Sequence, residues 1–389
     1  RLLGYDTFAD YKLDDTMAKT PDAVRGLLDR VWEPARTQAA RERDRLQAFA
    51  VREGANIAIE PWDWRHYAEK VRTAEFALDG AQIKPYLPLD QIIEAAFWTA
   101  NQLFGVTFAE RKDVPVYHPD VRTWQVEDAK GTLVALFLGD YFARPSKRSG
   151  AWMSAFRSQE KLGGDIRPII VNVMNFAKAP AGEPTLLSID DARTLFHEFG
   201  HGLHGMLSDV TYPSLAGTSV ARDFVELPSQ LYEHWLLTPA VLGRFARHVE
   251  TGKPMPKSLV EKIRATQTFN QGFATVEFLA SAFVDIDFHA DAEPVGDPMA
   301  AEKKTLERIG MPREIIMRHR TPHFQHVFSG DGYSAGYYSY LWSEVLDADA
   351  FAAFEETGDV FNPELAKRLR QFVYGAGGLR DEAEAYKAF

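Results

Sequence analysis

"FHEFGHGLHG", residues 196–205, places three histidines and a glutamate within ten residues that otherwise read as a helix. Gly200, Gly202 and Gly205 stand among them. Each glycine costs a helix interior roughly 1 kcal/mol relative to alanine. Either the segment is a solvated polar face, or the ionisable groups and the glycines serve a purpose that outweighs the loss.

Helical residues four apart share a face, so the imidazoles of His197 and His201 can point at one ion, with Glu198 beside them as a general base. With 11 His in the chain, the pattern is expected by chance about 0.02 times per sequence, and its meaning rests on a helical context. That context is present. Ser188 is a good N-cap, Asp190 and Asp191 suit the first turn, and no proline follows before Met206. Two imidazoles suit zinc, and a catalytic zinc needs a third protein ligand and an open position for water. Glu226 in "ARDFVELPSQLYEHW" is the candidate third ligand, although alone it would read as a solvated glutamate. Pro228 lacks an N–H, so a helix starts or bends near Glu226. Three ligands complete the site, which leaves His204 as a non-ligand. Asp223 reads as an N-cap in preference to a group orienting a ligand histidine. The three glycines permit close approach by another segment or by substrate.

The wider chain is compatible with an enzyme of ordinary size. It has 389 residues, 46% hydrophobic and 25% charged, with a formal net charge of −11. The acidic balance argues against nucleic acid as the main partner. No run of 18 apolar residues exists, so no membrane-spanning helix is expected. The absence of cysteine excludes disulfides and agrees with a reducing, cytoplasmic setting. The chain starts at Arg, without a signal-peptide pattern, which suggests a fragment or a processed chain.

Helical spacing and first-turn prolines predict helices over 21–53, 61–78 and 87–105. From 106 to 176, short β-branched and aromatic runs alternate with turn signals and predict a small twisted sheet. Beyond 186 the pattern is helical almost to the end. The fold class expected is mainly α with a minor β-sheet.

Further on, "GDGYSAGYYSYLWSEV" (330–345) places Tyr333, Tyr337 and Tyr340 at i, i+4 and i+7, one face if the segment is helical. A phenol can donate to the oxyanion formed when water attacks a peptide carbonyl. The stripe serves equally well as core packing. His326, just upstream, is a weaker candidate donor.

At these residues the chain resembles the thimet-oligopeptidase-like zinc metallopeptidases, and within them the bacterial peptidyl-dipeptidases (dipeptidyl carboxypeptidases). The resemblance runs from about residue 110 to the C-terminus. It rests on "HPDVRTWQV", "LFLGDYFARPSKRSGAWM", "RPIIVNVMNF", "TLFHEFGHGLHG", "AGTSVARDFVELPSQLYEHW" and "GYSAGYYSYLW". "EHW" after "PSQ" favours the peptidyl-dipeptidase branch over the endopeptidases. The resemblance implies that His197, His201 and Glu226 bind one zinc per chain, that Glu198 is the base, and that Tyr333 and Tyr340 donate to substrate or oxyanion. Tyr337 and His326 are then substrate-binding neighbours. It implies a zincin-like helical catalytic lobe, part of a two-lobed channel peptidase. Residues 1–105 would be the remainder of an N-terminal lobe whose larger part belongs to a longer parent chain. Residues 106–389 would be the catalytic domain, with zinc-binding helices at 189–237.

The expected activity is zinc-dependent hydrolysis of short peptides with release of C-terminal dipeptides. The alternatives are an oligoendopeptidase with the same site, a catalytically silent peptide-binding fragment and, more remotely, a zinc aminopeptidase.

Overall fold

The structure is a computed structural model and describes residues 2–389. The expectation of a mainly α chain with a small sheet is met. Contacts divide it into two compact units, one made of residues up to Asp79 with Ser258–Trp342, the other of Gly80–Lys257 with Ser343–Phe389. This division falls ahead of residue 105, because Leu89–Phe104 packs within the second unit. Phe97 of that helix stacks on Phe108 at 4.1 Å. Among the described residues no helix is long and apolar enough to cross a membrane.

The first unit is built on the long helix Pro21–Arg52. Its start is fixed by Thr20, which accepts from the Ala23 N–H, and by Pro21 in the first turn. Val24, Leu28, Ala35, Ala39 and Leu46 recur at helical spacing and are buried. They pack with the helix Gln271–His289, which is apolar on most sides. The buried Glu42 carboxylate accepts the N–H groups of Gly272 and Phe273 at 2.9 and 2.8 Å, and so satisfies that helix's N-terminus.

The second unit carries the five-stranded sheet: β1 (Thr107–Arg111), β2 (Arg122–Glu127), β3 (Leu133–Phe142), β4 (Trp152–Arg157) and β5 (Ile169–Phe176). The order is β1-β2-β3-β5-β4. Only the β3–β5 pair is parallel, with Phe137 opposite Ile170. β3 and β5 are central and almost continuously apolar, as buried strands require.

The helix Ile189–Met206 lies on this sheet. Phe199 packs against Phe137 with ring centroids 5.2 Å apart. A Cβ at Gly205 would come within 2.6 Å of Met153 and 2.7 Å of Ile170. The glycine here admits the sheet, which decides between the two occupants anticipated from the sequence.

One expected helix is shorter than its pattern. The segment 330–345 is not helical throughout, and the helix begins at Ser339. Ala335 adopts a left-handed φ of 56°, which no α-helix accommodates. Tyr333 and Tyr337 therefore lie in consecutive turns ahead of the helix that carries Tyr340.

Candidate metal centre

The Ile189–Met206 helix opens with a complete capping box. Ser188 Oγ accepts the Asp191 N–H at 3.0 Å, and the Ser188 N–H donates to the Asp191 carboxylate at 2.9 Å. From that start His197 and His201 fall one turn apart, with ring centroids 4.9 Å apart and planes at 85°. A second helix, Leu227–Leu236, crosses close by. A Cβ at Gly200 would lie 2.6 Å from Ser229 Cα and 2.8 Å from the Pro228 carbonyl oxygen. Only a glycine lets the two helices approach this closely.

The approach delivers Glu226. It occupies the N-cap position of Leu227–Leu236, yet its side chain caps nothing. Its Oε2 lies 3.2 Å from His197 Nε2 and 3.1 Å from His201 Nε2. The three side chains are the one group among the described residues arranged to hold a metal ion, with ligand atoms within 4.8 Å of one another.

Two imidazole nitrogens and one carboxylate oxygen are the donor set of a catalytic zinc site. Ligand atoms about 2.0–2.2 Å from a tetrahedral zinc stand about 3.3–3.6 Å from one another. The observed separations of Glu226 Oε2 from each imidazole lie just below that spacing. His201 Nδ1 and Glu198 Oε2 are buried without a hydrogen-bond partner.

The charges within the cluster stabilise one another. Burial alone would raise the Glu226 carboxyl, but the His201 and His197 imidazoles hold it well below the usual carboxylate range. Burial disfavours the His197 cation, yet its hydrogen bonds to Glu226 and Glu233 raise its pKa well above the ordinary histidine value. Glu198, 6% exposed, is pushed up by desolvation, which outweighs the lowering by the neighbouring His197 and His201. A carboxylate made more basic in this way suits proton abstraction.

Around these residues the sequence reading needs one correction and one addition. Asp223 is not a helix cap. It is buried in the turn before Glu226, and its carbonyl accepts from Ser343 Oγ at 2.8 Å. The group that orients a histidine is Glu233, whose Oε1 lies 2.7 Å from His197 Nδ1. Seven residues after Glu226, it lies on the same helical face two turns on, a spacing that could have pointed to it. His204 stands outside the cluster, as expected. It is fully buried, with neither ring nitrogen hydrogen-bonded, and desolvation pushes its pKa down to about 3.

The other candidates gather in the first unit. Tyr333 and Tyr340 have parallel rings with centroids 5.7 Å apart, and His326 Nε2 lies 2.7 Å from the Tyr340 hydroxyl. Tyr337 is packed beside them but only 4% exposed, among Phe278 and Phe324. The turns thus bring together what a continuous helix was expected to align.

The pattern of peptidase family M3 matches residues 1–389. The chain is 43% identical over 394 residues to the dipeptidyl carboxypeptidase of Salmonella typhimurium (strain LT2), covering 100% of this chain and 57% of that protein. It is 44% identical over 391 residues to the dipeptidyl carboxypeptidase of Escherichia coli (strain K12), covering 99% and 57%. Oligopeptidase A of Escherichia coli is 37% identical over 396 residues, covering 100% and 58%. The chain thus spans under three-fifths of the length of these relatives. With the family pattern matched from end to end, the chain belongs to peptidase family M3.

Proposed function

We propose that this chain carries the catalytic centre of a zinc-dependent cytoplasmic peptidase that removes C-terminal dipeptides from short peptides. The observation that carries the proposal is the convergence of His197, His201 and Glu226 beside the buried Glu198 carboxylate. The higher identity to two dipeptidyl carboxypeptidases than to oligopeptidase A supports the dipeptide-releasing reading.

His197, His201 and Glu226 would hold the zinc. When bound, zinc acts as a Lewis acid that acidifies water and polarises a peptide carbonyl. Glu198 takes a proton from the attacking water and delivers it to the nitrogen of the leaving amine, the two halves of general acid–base catalysis. With Glu233 2.7 Å from Nδ1 to accept that nitrogen's proton, His197 would offer the Nε2 lone pair to the zinc. Tyr340 is assigned the donor to the developing oxyanion. His326 Nε2, 2.7 Å from its hydroxyl, would serve it as a donor in the tautomer that carries the proton on that nitrogen. Tyr333, Tyr337 and His326 complete the assignment as substrate-contacting groups.

The test is digestion of an unblocked decapeptide, and of its C-terminal amide, followed by mass spectrometry over time. Successive loss of dipeptides from the unblocked peptide alone is the expected result. Internal cleavage of both at similar rates would favour the oligoendopeptidase reading, for which the similarity to oligopeptidase A speaks.

A further inference from the structure

The turn that carries the tyrosines is held by a carboxylate that the mechanism above does not use. Asp285, on the helix Gln271–His289, is 1% exposed. One of its oxygens accepts the Ala335 N–H at 2.9 Å and the other accepts the Tyr337 N–H at 2.9 Å. Ala335 is the residue with φ of 56°, a conformation that disfavours any side chain. Alternate backbone N–H groups presented by a left-handed turn form a concave anion site, and Asp285 fills it. His289, one turn on, closes the other side, with Nδ1 2.9 Å from Asp285 Oδ1. Phe8 and Phe328 flank the His289 ring.

The two donors stand between Tyr333 and Tyr340. The Gly336 N–H returns to the Tyr333 carbonyl at 2.8 Å, and Ser334 Oγ donates to the Val327 carbonyl at 2.6 Å. The second of these bonds ties the turn to the short segment that holds His326. Glu42 in the same unit accepts backbone N–H groups in a comparable way, but those belong to Gly272 and Phe273 at a helix start. At Asp285 the backbone held is the one that sets the spacing of the stacked Tyr333 and Tyr340 rings.

We infer that Asp285 is the positioning residue of the tyrosine turn: it holds Ala335 in the left-handed conformation and so fixes where the Tyr340 hydroxyl stands during peptide hydrolysis. The inference rests on the reading of Tyr340 as a donor to substrate.

The experiment is a double-mutant cycle on kcat and KM with Asp285→Asn, Tyr340→Phe and the double variant, each checked for metal content. Asparagine keeps the shape but offers one acceptor where two are needed. Loss of alignment is expected to lower kcat by about tenfold or more in Asp285→Asn, with KM changed less than about threefold. The double variant is expected to be no slower than Tyr340→Phe alone, because Asp285 acts through that hydroxyl. Hydrogen exchange should show the Ala335 and Tyr337 amides losing protection, with residues 189–206 unchanged. Should Asp285→Asn not fold, Asp285→Glu takes its place in the same cycle, since it keeps the buried charge and displaces the acceptors. Multiplying losses in the double variant, or an unchanged kcat in the Asp285 variant, would overturn the inference and leave the role of Tyr340 standing. An unchanged kcat in Tyr340→Phe would overturn that role and the inference with it.

Discussion

His197 is held at both nitrogens: Nδ1 lies 2.7 Å from Glu233 Oε1 while Nε2 lies 3.2 Å from Glu226 Oε2. Both carboxylates come from one short stretch of chain, the N-cap and the second turn of Leu227–Leu236. The ring therefore cannot rotate without losing a partner on each side. That fixes its direction.

Glu233→Gln keeps the side-chain length but replaces a full charge with an amide. The account predicts zinc affinity lower by about 10–100-fold, measured by competition with a chromophoric chelator, with the fold intact. Affinity within twofold of wild type would show that the His197–Glu233 bond does not orient the ligand.

Gly200→Ala tests the helix crossing. The added Cβ has no room between Ser229 Cα and the Pro228 carbonyl, so Leu227–Leu236 must move away and carry Glu226 with it. The expected outcome is a stability loss of about 1–3 kcal/mol in denaturant unfolding, accompanied by weaker zinc binding. A stability loss with unchanged zinc affinity would separate the crossing from the metal centre.

His204 supplies a pH dependence. Its pKa is about 3 in the folded protein, below the 6.5 of an exposed histidine, so the unfolded chain binds the extra proton first. This group's contribution to stability is complete above about pH 6.5 and falls as the pH drops from there toward about 3. By linkage the fall is at most about 1.4 kcal/mol per pH unit. In His204→Phe the term vanishes. Between pH 7 and pH 5 the wild type should lose about 2 kcal/mol more than the variant in urea unfolding. Parallel losses would mean that His204 finds a proton partner in the fold.

Much of the metal centre was legible because its signals are local. The capping box at Ser188, the four-residue spacing of His197 and His201, and the proline after Glu226 each act within a few residues of chain. The sheet over 106–176 was legible for the same reason, since alternating runs and turns define strands locally. What escaped is set by tertiary contact. The periodicity of Tyr333, Tyr337 and Tyr340 is that of a helix, but Asp285, some fifty residues earlier, captures two N–H groups and bends the segment into turns. Asp223 read as a cap because a lone acidic residue before an apolar run has that local meaning. In the fold the chain turns on until Glu226, and the helix forms without a side-chain cap. Glu233 was overlooked because its partner lies on the crossing helix, an approach that only Gly200 permits.

The most direct test of the central claim is the rate of peptide hydrolysis by Glu198→Gln, compared with wild type at matched zinc content. An amide cannot accept the proton, and Glu198 is a buried carboxyl beside His197 and His201 whose basicity burial raises. The account predicts full zinc binding and a kcat lower by at least about 10²–10⁴-fold. Zinc-loaded Glu198→Gln working within tenfold of wild type would contradict the account and move the base elsewhere.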